Sequence, residues 1–328
     1  MGEKETASHI RRVVLATASA DGVGGVGNPL SPERGTEEEW TVRPVQRFPL
    51  DSAEYAEAFA TLVRCAGERV YERQILREIF SAYPAASHAV DWGAGDGDLT
   101  SLLVERFHHV YAVEPHPDMR AVLATRCPRA QIVDGTIMAA VLPTKVEVGL
   151  ISHVCYHVPD HKWGAYTLHA AQHLTEDGVL IVTLKTVDTG CNQLLEHFGA
   201  PRYDLQGGLS TVMRLYPEFT VTFLRAPASI TTTSFVETLQ IARFMLCDRD
   251  ADAFSRPPTE EAFQAYVRKH FWDERHGRGG WECATMFCCV RRNAVYGEAY
   301  LELGNRSQRR LALPAVACAP AVEDCGAA

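Results

Sequence analysis

Residues 90–97 read Val-Asp-Trp-Gly-Ala-Gly-Asp-Gly, and seventeen residues after Gly97 a second apolar run ends on Glu114. Val90 and Asp91 close a short strand-like stretch. Gly93, Gly95 and Gly97 follow as a turn without Cβ atoms, against which a ligand can lie. Leu99 to Phe107 then repeats at helical spacing. A strand, a glycine loop and a helix in that order cradle a nucleotide-like molecule, and they confine the chain to α/β folds in which helices cover a parallel sheet.

The spacing and the charges narrow the cofactor. A dinucleotide fingerprint is G-x-G-x-x-G. Here the glycines fall G-x-G-x-G, and Asp98 stands where the later glycine belongs. Asp91 before the loop and Asp96 within it would repel a pyrophosphate. S-adenosyl-L-methionine carries no phosphate, and its α-ammonium and sulfonium suit carboxylates. Glu114, ending Val-Tyr-Ala-Val-Glu-Pro, is placed to accept both ribose hydroxyls. The stretch resembles the class I SAM-dependent methyltransferases, whose first motif is D/E-x-G-x-G-x-G. The resemblance implies a doubly wound, Rossmann-like seven-stranded sheet with a helical region over the substrate. The expected donor-binding residues are Asp91, Gly93, Gly95, Gly97 and Glu114, with Thr136 after the third strand and Ser152 at the end of the fourth.

Alternation along the chain supports that architecture. Strands are predicted near 88–92, 109–114, 130–133, 147–152 and 178–185, separated by helices at 97–107, 116–126 and 160–174. Tyr55–Phe80 reads as one helix with an apolar stripe, and Phe235–Cys247 and Glu260–Phe271 as two more. Apolar runs at 219–224 and 284–290 would complete an antiparallel edge. Residues 1–45 and 293–328 read as flexible segments around a catalytic domain at 46–292. Within it the donor half spans 84–185, and the covering elements span 46–83 and 186–280.

With 46% hydrophobic and 22% charged residues, the composition is that of a globular chain. A net charge of −9 argues against a surface that tracks nucleic-acid phosphates, and the basic stretch Arg268–Arg278 is diluted by Asp273 and Glu274 into what reads as a solvated loop. No apolar run reaches membrane-spanning length, and Val13-Val-Leu-Ala16 is too short for a signal-peptide core. The ten cysteines are scattered without a C-x-x-C, as in a reduced cytoplasmic protein with buried thiols.

The acceptor side is read from the end of the fourth strand, Leu150-Ile-Ser-His-Val-Cys-Tyr-His-Val-Pro-Asp160, because ligands of open α/β sheets lie beyond the carboxyl ends of the strands. It is not the D/N-P-P-Y/F loop of an amino-directed DNA methyltransferase. It also lacks the oxygen-ligand cluster of a magnesium-dependent catechol enzyme, so no metal is expected. No double-glutamate hairpin of a protein-arginine enzyme is found. A small-molecule acceptor remains, with His153, Tyr156 and His157 as pocket candidates. Periodicity alone makes Glu68 a solvated helix residue. Gly67 beside it weakens the helix, and a break there would let Glu68 point into the pocket roof.

A second likeness bears on that residue. Tyr55–Glu68 resembles the N-terminal substrate helix of histamine N-methyltransferases, whose matching glutamate grips the acceptor nitrogen. His153–Asp160 is similar to their fourth-strand segment, where a glutamine stands at His153 and tyrosines stand at Tyr156 and His157. Gly190–Gly199 aligns with a helix carrying two substrate-packing tryptophans, which here are Cys191 and Leu195. The resemblance implies substrate contacts from Glu68, His153, Tyr156, Cys191 and Leu195. The lost indoles and gained histidines turn the expectation from histamine to a larger indole- or imidazole-type acceptor, of the kind met in natural-product biosynthesis. Methylation at nitrogen, or at a ring carbon activated by its N–H, is expected, with Glu68, His153 or His157 as the catalytic groups. O-methylation of a phenol by a histidine base is the alternative.

Overall fold

A computed structural model of the protein describes residues 43–292 apart from 50, 51, 214, 215, 217 and 248. Most of the two terminal segments read as flexible therefore lies outside the described residues. Residues 43–45 do not: the Val45 N–H donates to the Pro258 carbonyl at 2.9 Å and the Glu260 N–H to the Arg43 carbonyl at 2.9 Å.

Five strands run parallel: His88–Trp92 (β1), His109–Glu114 (β2), Gln131–Asp134 (β3), Val146–Ser152 (β4) and Leu174–Lys185 (β5). Three helices connect them: Thr100–Arg106, Pro117–Arg126 and Trp163–Ala171. Phe219–Ala226 (β6) and Thr285–Arg292 complete a seven-stranded sheet. Its order is β3, β2, β1, β4, β5, then 285–292, then β6, with 285–292 antiparallel to both its neighbours. This is the α/β, Rossmann-like sheet with an antiparallel edge that the sequence leads one to expect. From β1 the chain winds outward through β2 and β3, then returns to lay β4 on the other side of β1. The strand order reverses there, and the carboxyl ends of β1 and β4 open a crevice.

Helices on both faces explain why the central strands are apolar throughout. In β5, Val179 and Ile181 turn to the face holding Leu102, Leu103 and Phe107, while Leu180, Val182 and Leu184 turn to the face holding Trp163, Leu194 and Phe263.

The helix predicted over Tyr55–Phe80 is two helices, Ala53–Cys65 (α1) and Glu68–Ser81 (α2). Ser52 caps the first, its hydroxyl accepting the Tyr55 N–H at 3.1 Å. At the break Ala66 pairs with Ile230, and the Gly67 N–H donates to the Ser229 carbonyl at 3.0 Å. Both contacts are to Ser229–Thr232 (β7), so a strand distant in sequence satisfies backbone groups that a continuous helix would have used.

Among the described residues, four further helices follow β5: Gly190–His197, Leu205–Met213, Phe235–Cys247 and Glu260–Phe271. A small second sheet, absent from the sequence reading, joins β7 to Arg278–Glu282 and Trp272–Asp273. The stretch 268–278 is thus a helix end and a hairpin rather than a plain solvated loop. The Asp273 carboxylate closes the turn by accepting the N–H groups of Arg275 and His276, and Gly277 takes the positive φ of 58°.

Phe107 stands edge-on to Phe80, with ring centroids 5.8 Å apart, and is 2% exposed. It closes the core under the donor-side helices. Phe107→Ala is expected to lower stability by about 3–5 kcal/mol. Urea unfolding measures this, and a loss under 1 kcal/mol would show that the site is not tightly packed.

Candidate active site

Both halves of the site lie along the β1–β4 crevice. In the loop after β1, Gly93, Gly95 and Gly97 have φ of +77°, +55° and +83°, which side-chain-bearing residues rarely adopt. The N–H groups of Gly93 and Ala94 both reach the Val113 carbonyl, at 2.8 and 3.0 Å, and so bind the loop to β2. A Cβ on Gly93 would lie 2.6 Å from Val154, and one on Gly97 would lie 2.7 Å from Leu123. These two glycines let the loop pack against protein. Gly95 differs: a Cβ there would meet no protein atom within 4 Å. The loop is open at this point, leaving room for a ligand.

Glu114 ends β2 and is 7% exposed. One carboxylate oxygen accepts the Gly95 N–H at 2.8 Å, and the other accepts the His116 N–H at 2.9 Å. These bonds fix the carboxylate's plane, and each oxygen keeps a lone pair for a diol. Asp91 is 3% exposed and accepts the Thr100 hydroxyl at 2.6 Å. Burial, opposed in part by that hydrogen bond and reinforced by Glu114, Asp96 and Asp98, pushes its pKa up to about 7. Arg73 pairs with Asp98 at 3.1 Å and Arg126 with Asp96 at 2.7 Å on the outer side of the loop. The inner side is left with the Glu114 carboxylate and with a buried Asp91 carboxyl that a cation would favour in its ionised form. That side suits a cation and opposes a phosphate, so the loop fits S-adenosyl-L-methionine. Thr136 is exposed in the loop after β3, two residues beyond Asp134, the residue opposite Glu114 in the sheet.

The other half is built at the end of β4. His153 has φ +57°, and it is a non-glycine residue in the left-handed region. Strain of this kind costs about 1–3 kcal/mol and persists where neighbouring contacts fix it. Here the His153 N–H donates to the Thr183 carbonyl at 3.1 Å, while its Nε2 lies 3.3 Å from Glu72 Oε1. Ser152 and Thr183, paired across β4 and β5, donate their hydroxyls to the same Glu72 oxygen at 2.9 and 3.1 Å. Glu72 itself is fully buried. The Tyr156 ring lies nearly parallel to that of His153, 10° apart in plane and 6.0 Å between centroids. Its hydroxyl accepts the Lys185 N–H at 3.2 Å, and its ring meets Tyr203 edge-on at 4.9 Å. Val154, between these two residues, is the side chain that fills the missing Cβ position of Gly93, so the histidine turn abuts the donor loop.

The structure thus gathers Asp91, Gly93, Gly95, Gly97 and Glu114 into one subsite, and Ser152, His153 and Tyr156 into the adjoining one. His157 follows on the exposed side of the turn. Cys191 and Leu195 are 6% and 1% exposed within the large core cluster, on the helix Gly190–His197. Glu68 is the first residue of α2, placed by its backbone one turn before Glu72 on the same helix face.

Sequence reasoning missed Glu72, Thr183 and Lys185. The signal for Glu72 was present: Leu76, Ile79 and Phe80 set the buried stripe of α2, and Glu72 precedes Leu76 by four residues on that stripe. A carboxylate at a core position needs a polar partner, and β4 and β5 supply it. Among the described residues no group of three or more His, Cys, Asp or Glu side chains is arranged to hold a metal ion.

Residues 66–221 match a protein family described as a methyltransferase domain. An uncharacterized methyltransferase of Exiguobacterium sibiricum is 32% identical over 100 residues, covering 30% of this chain and 47% of that protein. One from Geobacillus sp. (strain WCH70) is 27% identical over 215 residues, covering 60% of this chain and 93% of that protein. The chain thus spans about half the length of the first relative and nearly all of the second. Among solved structures, the YcgJ protein of Bacillus subtilis aligns with a TM-score of 0.47 at 12% identity, over 68% of this chain and 99% of that one. The magnesium protoporphyrin IX methyltransferase of Synechocystis PCC 6803 with bound SAH aligns with a TM-score of 0.42 at 13% identity, over 68% and 84%. Just under half of the chain, on the Rossmann-like sheet described above, is thus similar to a methyltransferase domain.

Asp91 supplies a test of the donor subsite through pH. Its raised pKa means that the free protein holds this carboxyl neutral below about 7. Ionising it in the fold is unfavourable, so its contribution to stability is full at acid pH and is lost as pH rises through that value. A bound α-ammonium favours the ionised form. Donor affinity is therefore expected to rise with pH up to neutrality, by as much as about tenfold per unit, with proton release on binding. Calorimetry with S-adenosylhomocysteine in buffers of different ionisation enthalpy measures both effects. Asp91→Asn should weaken binding and flatten the pH dependence; an unchanged slope would remove Asp91 from the donor subsite.

Proposed function

We propose that the chain transfers a methyl group from S-adenosyl-L-methionine to a small nitrogen-containing heteroaromatic molecule of indole or imidazole type, at its nitrogen or at a ring carbon activated by its N–H. The observation that carries this reading is the parallel pair of His153 and Tyr156 rings on the turn that abuts the glycine loop. A flat acceptor ring stacks on such a wall at favourable offset geometry. The polar groups of His153 and Tyr156 stand at the wall to read the acceptor's N–H or ring nitrogen.

When bound, S-adenosyl-L-methionine supplies a methyl group on a positively charged sulfur. The roles of the chain are binding and alignment. Asp91 receives the α-ammonium, Glu114 receives the ribose hydroxyls, and the open face at Gly95 lets the donor approach the backbone. Ser152 and Thr136 complete the donor subsite from β4 and from the loop after β3. Glu68 orients the acceptor by accepting its N–H, and Cys191 and Leu195 back the pocket. The transfer needs no divalent metal, since alignment and a positively charged leaving group are sufficient for displacement at a methyl carbon.

A second reading is O-methylation of a phenol. One observation favours it: the contact between His153 and the Glu72 carboxylate, which fixes the orientation of an imidazole that can serve a hydroxyl proton as well as an N–H.

The two readings separate with methyl-labelled donor and a panel of indole, imidazole, phenol and catechol acceptors. The expected result is label in the indole or imidazole products and an unchanged rate in EDTA. Label confined to phenols establishes the second reading, and a rate that magnesium restores after chelation overturns metal independence.

Glu68 is tested by Glu68→Gln, which keeps the size and one acceptor oxygen. If Glu68 only orients the acceptor, the expected change is a rise in acceptor KM with a modest fall in kcat. If it also removes a proton, kcat falls by about 10²–10⁴. Wild-type kcat and KM in this variant would place Glu68 in solvent.

A further inference from the structure

Glu72 lies outside both donor and acceptor contacts assigned above. It comes from α2, is fully buried, and gathers on Oε1 the hydroxyls of Ser152 and Thr183 and the Nε2 of His153. A buried carboxylate at an imidazole nitrogen fixes the tautomer of the ring and its orientation. An Nε2–H directed at Glu72 makes Nδ1 the unprotonated nitrogen. The unusual backbone of His153 turns the ring back over the end of β4 into this contact, and Tyr156 lies parallel to its other side. Three elements thus combine to hold one histidine in one orientation beside the donor loop.

We propose that His153 is the general base of the reaction, taking the acceptor proton on Nδ1, and that Glu72 is the positioning residue that holds His153 in the Nε2–H form and stabilises the imidazolium. The proposal rests on the methyl-transfer reading and deepens it by naming which group moves the proton. The balance is simple. The acceptor's electron pair forms the bond to the methyl carbon as the carbon–sulfur bond breaks, and the bonding pair stays on sulfur as a neutral thioether. The proton leaving the acceptor N–H, or the ring carbon after attack, goes to Nδ1 and from there to water. Acceptors are thereby restricted to those with a proton to lose, which favours an indole or imidazole N–H over a tertiary amine.

Among the described residues, Glu72 from α2 and Tyr156 from the following turn are titratable groups that face the ring, and the backbone N–H of Lys185 donates to the Tyr156 hydroxyl. Of these, Glu72 is in contact with Nε2, at 3.3 Å.

The test begins with the wild-type protein. ¹⁵N-histidine NMR of the donor-free chain, assigned with His153→Gln, is expected to show His153 as the Nε2–H tautomer. In Glu72→Gln the His153 titration is expected to move to lower pH, and the acidic limb of the kcat profile should move with it. His153→Gln should lower kcat by about 10²–10⁴-fold, the range of a general base, while S-adenosylhomocysteine affinity stays within about twofold. Circular dichroism and that same affinity report whether Glu72→Gln remains folded; the wild-type tautomer needs no variant of Glu72. A wild-type Nδ1–H tautomer, or a pH profile unmoved in folded Glu72→Gln, overturns the assignment. Failure of the methyl-transfer reading looks different: the wild type transfers no label to any acceptor, whatever the state of His153.

Discussion

The return of the chain from β3 to the far side of β1 is the constraint on which the rest of the site depends. Because β1 and β4 lie side by side but are followed by connections that leave in opposite directions, nothing crosses their carboxyl ends. The glycine loop rises from one and the His153 turn from the other. They meet where Val154 occupies the space beside Gly93. A side chain at Gly93 would force the loop and the turn apart, so the two halves of the site share one packing contact. The glycine loop and the His153 turn are adjacent for this reason.

Electrostatics divides the donor loop into two sides. Asp96 and Asp98 are paired outward with Arg126 and Arg73, whereas Asp91 and Glu114 are buried and held by a hydroxyl and by backbone N–H groups. Neutral donors orient a carboxylate without cancelling its charge. Burial raises the pKa of Asp91, against the hydrogen bond from Thr100, and marks an anion the free protein disfavours and a cationic ligand would stabilise. Burial of this carboxyl therefore works against the stability of the free protein near neutral pH.

On the acceptor side, α2 has a double role. Leu76, Ile79 and Phe80 anchor it in the core under the donor half, which fixes its axis. Glu72, one turn nearer the helix start, is then carried into the space between β4 and β5. The break after α1 frees this helix to take its own direction, and β7 fills the backbone hydrogen bonds lost there. Pocket roof, helix break and small sheet are one construction.

The amino-acid sequence alone determined the donor half, because its features are local. Three glycines at fixed spacing, the carboxylate ending β2, and apolar runs bounded by turn residues each act within a few residues of chain. Helices such as Phe235–Cys247 and Glu260–Phe271 were legible to their ends for the same reason. The carboxylate that the fold buries, Glu72, lies one turn beyond Glu68, the residue to which the sequence drew attention. Only tertiary structure decided that Glu72 meets Ser152 and Thr183, 80 and 111 residues away in the chain, and that His153 adopts a backbone that sequence does not disfavour visibly. The break at Gly67 was likewise visible as a weakness, but its form depended on β7. Contacts between distant segments leave no periodic trace. Their strength lies in excluding water from a charge, which occurs only once the sheet and its helices have closed around it.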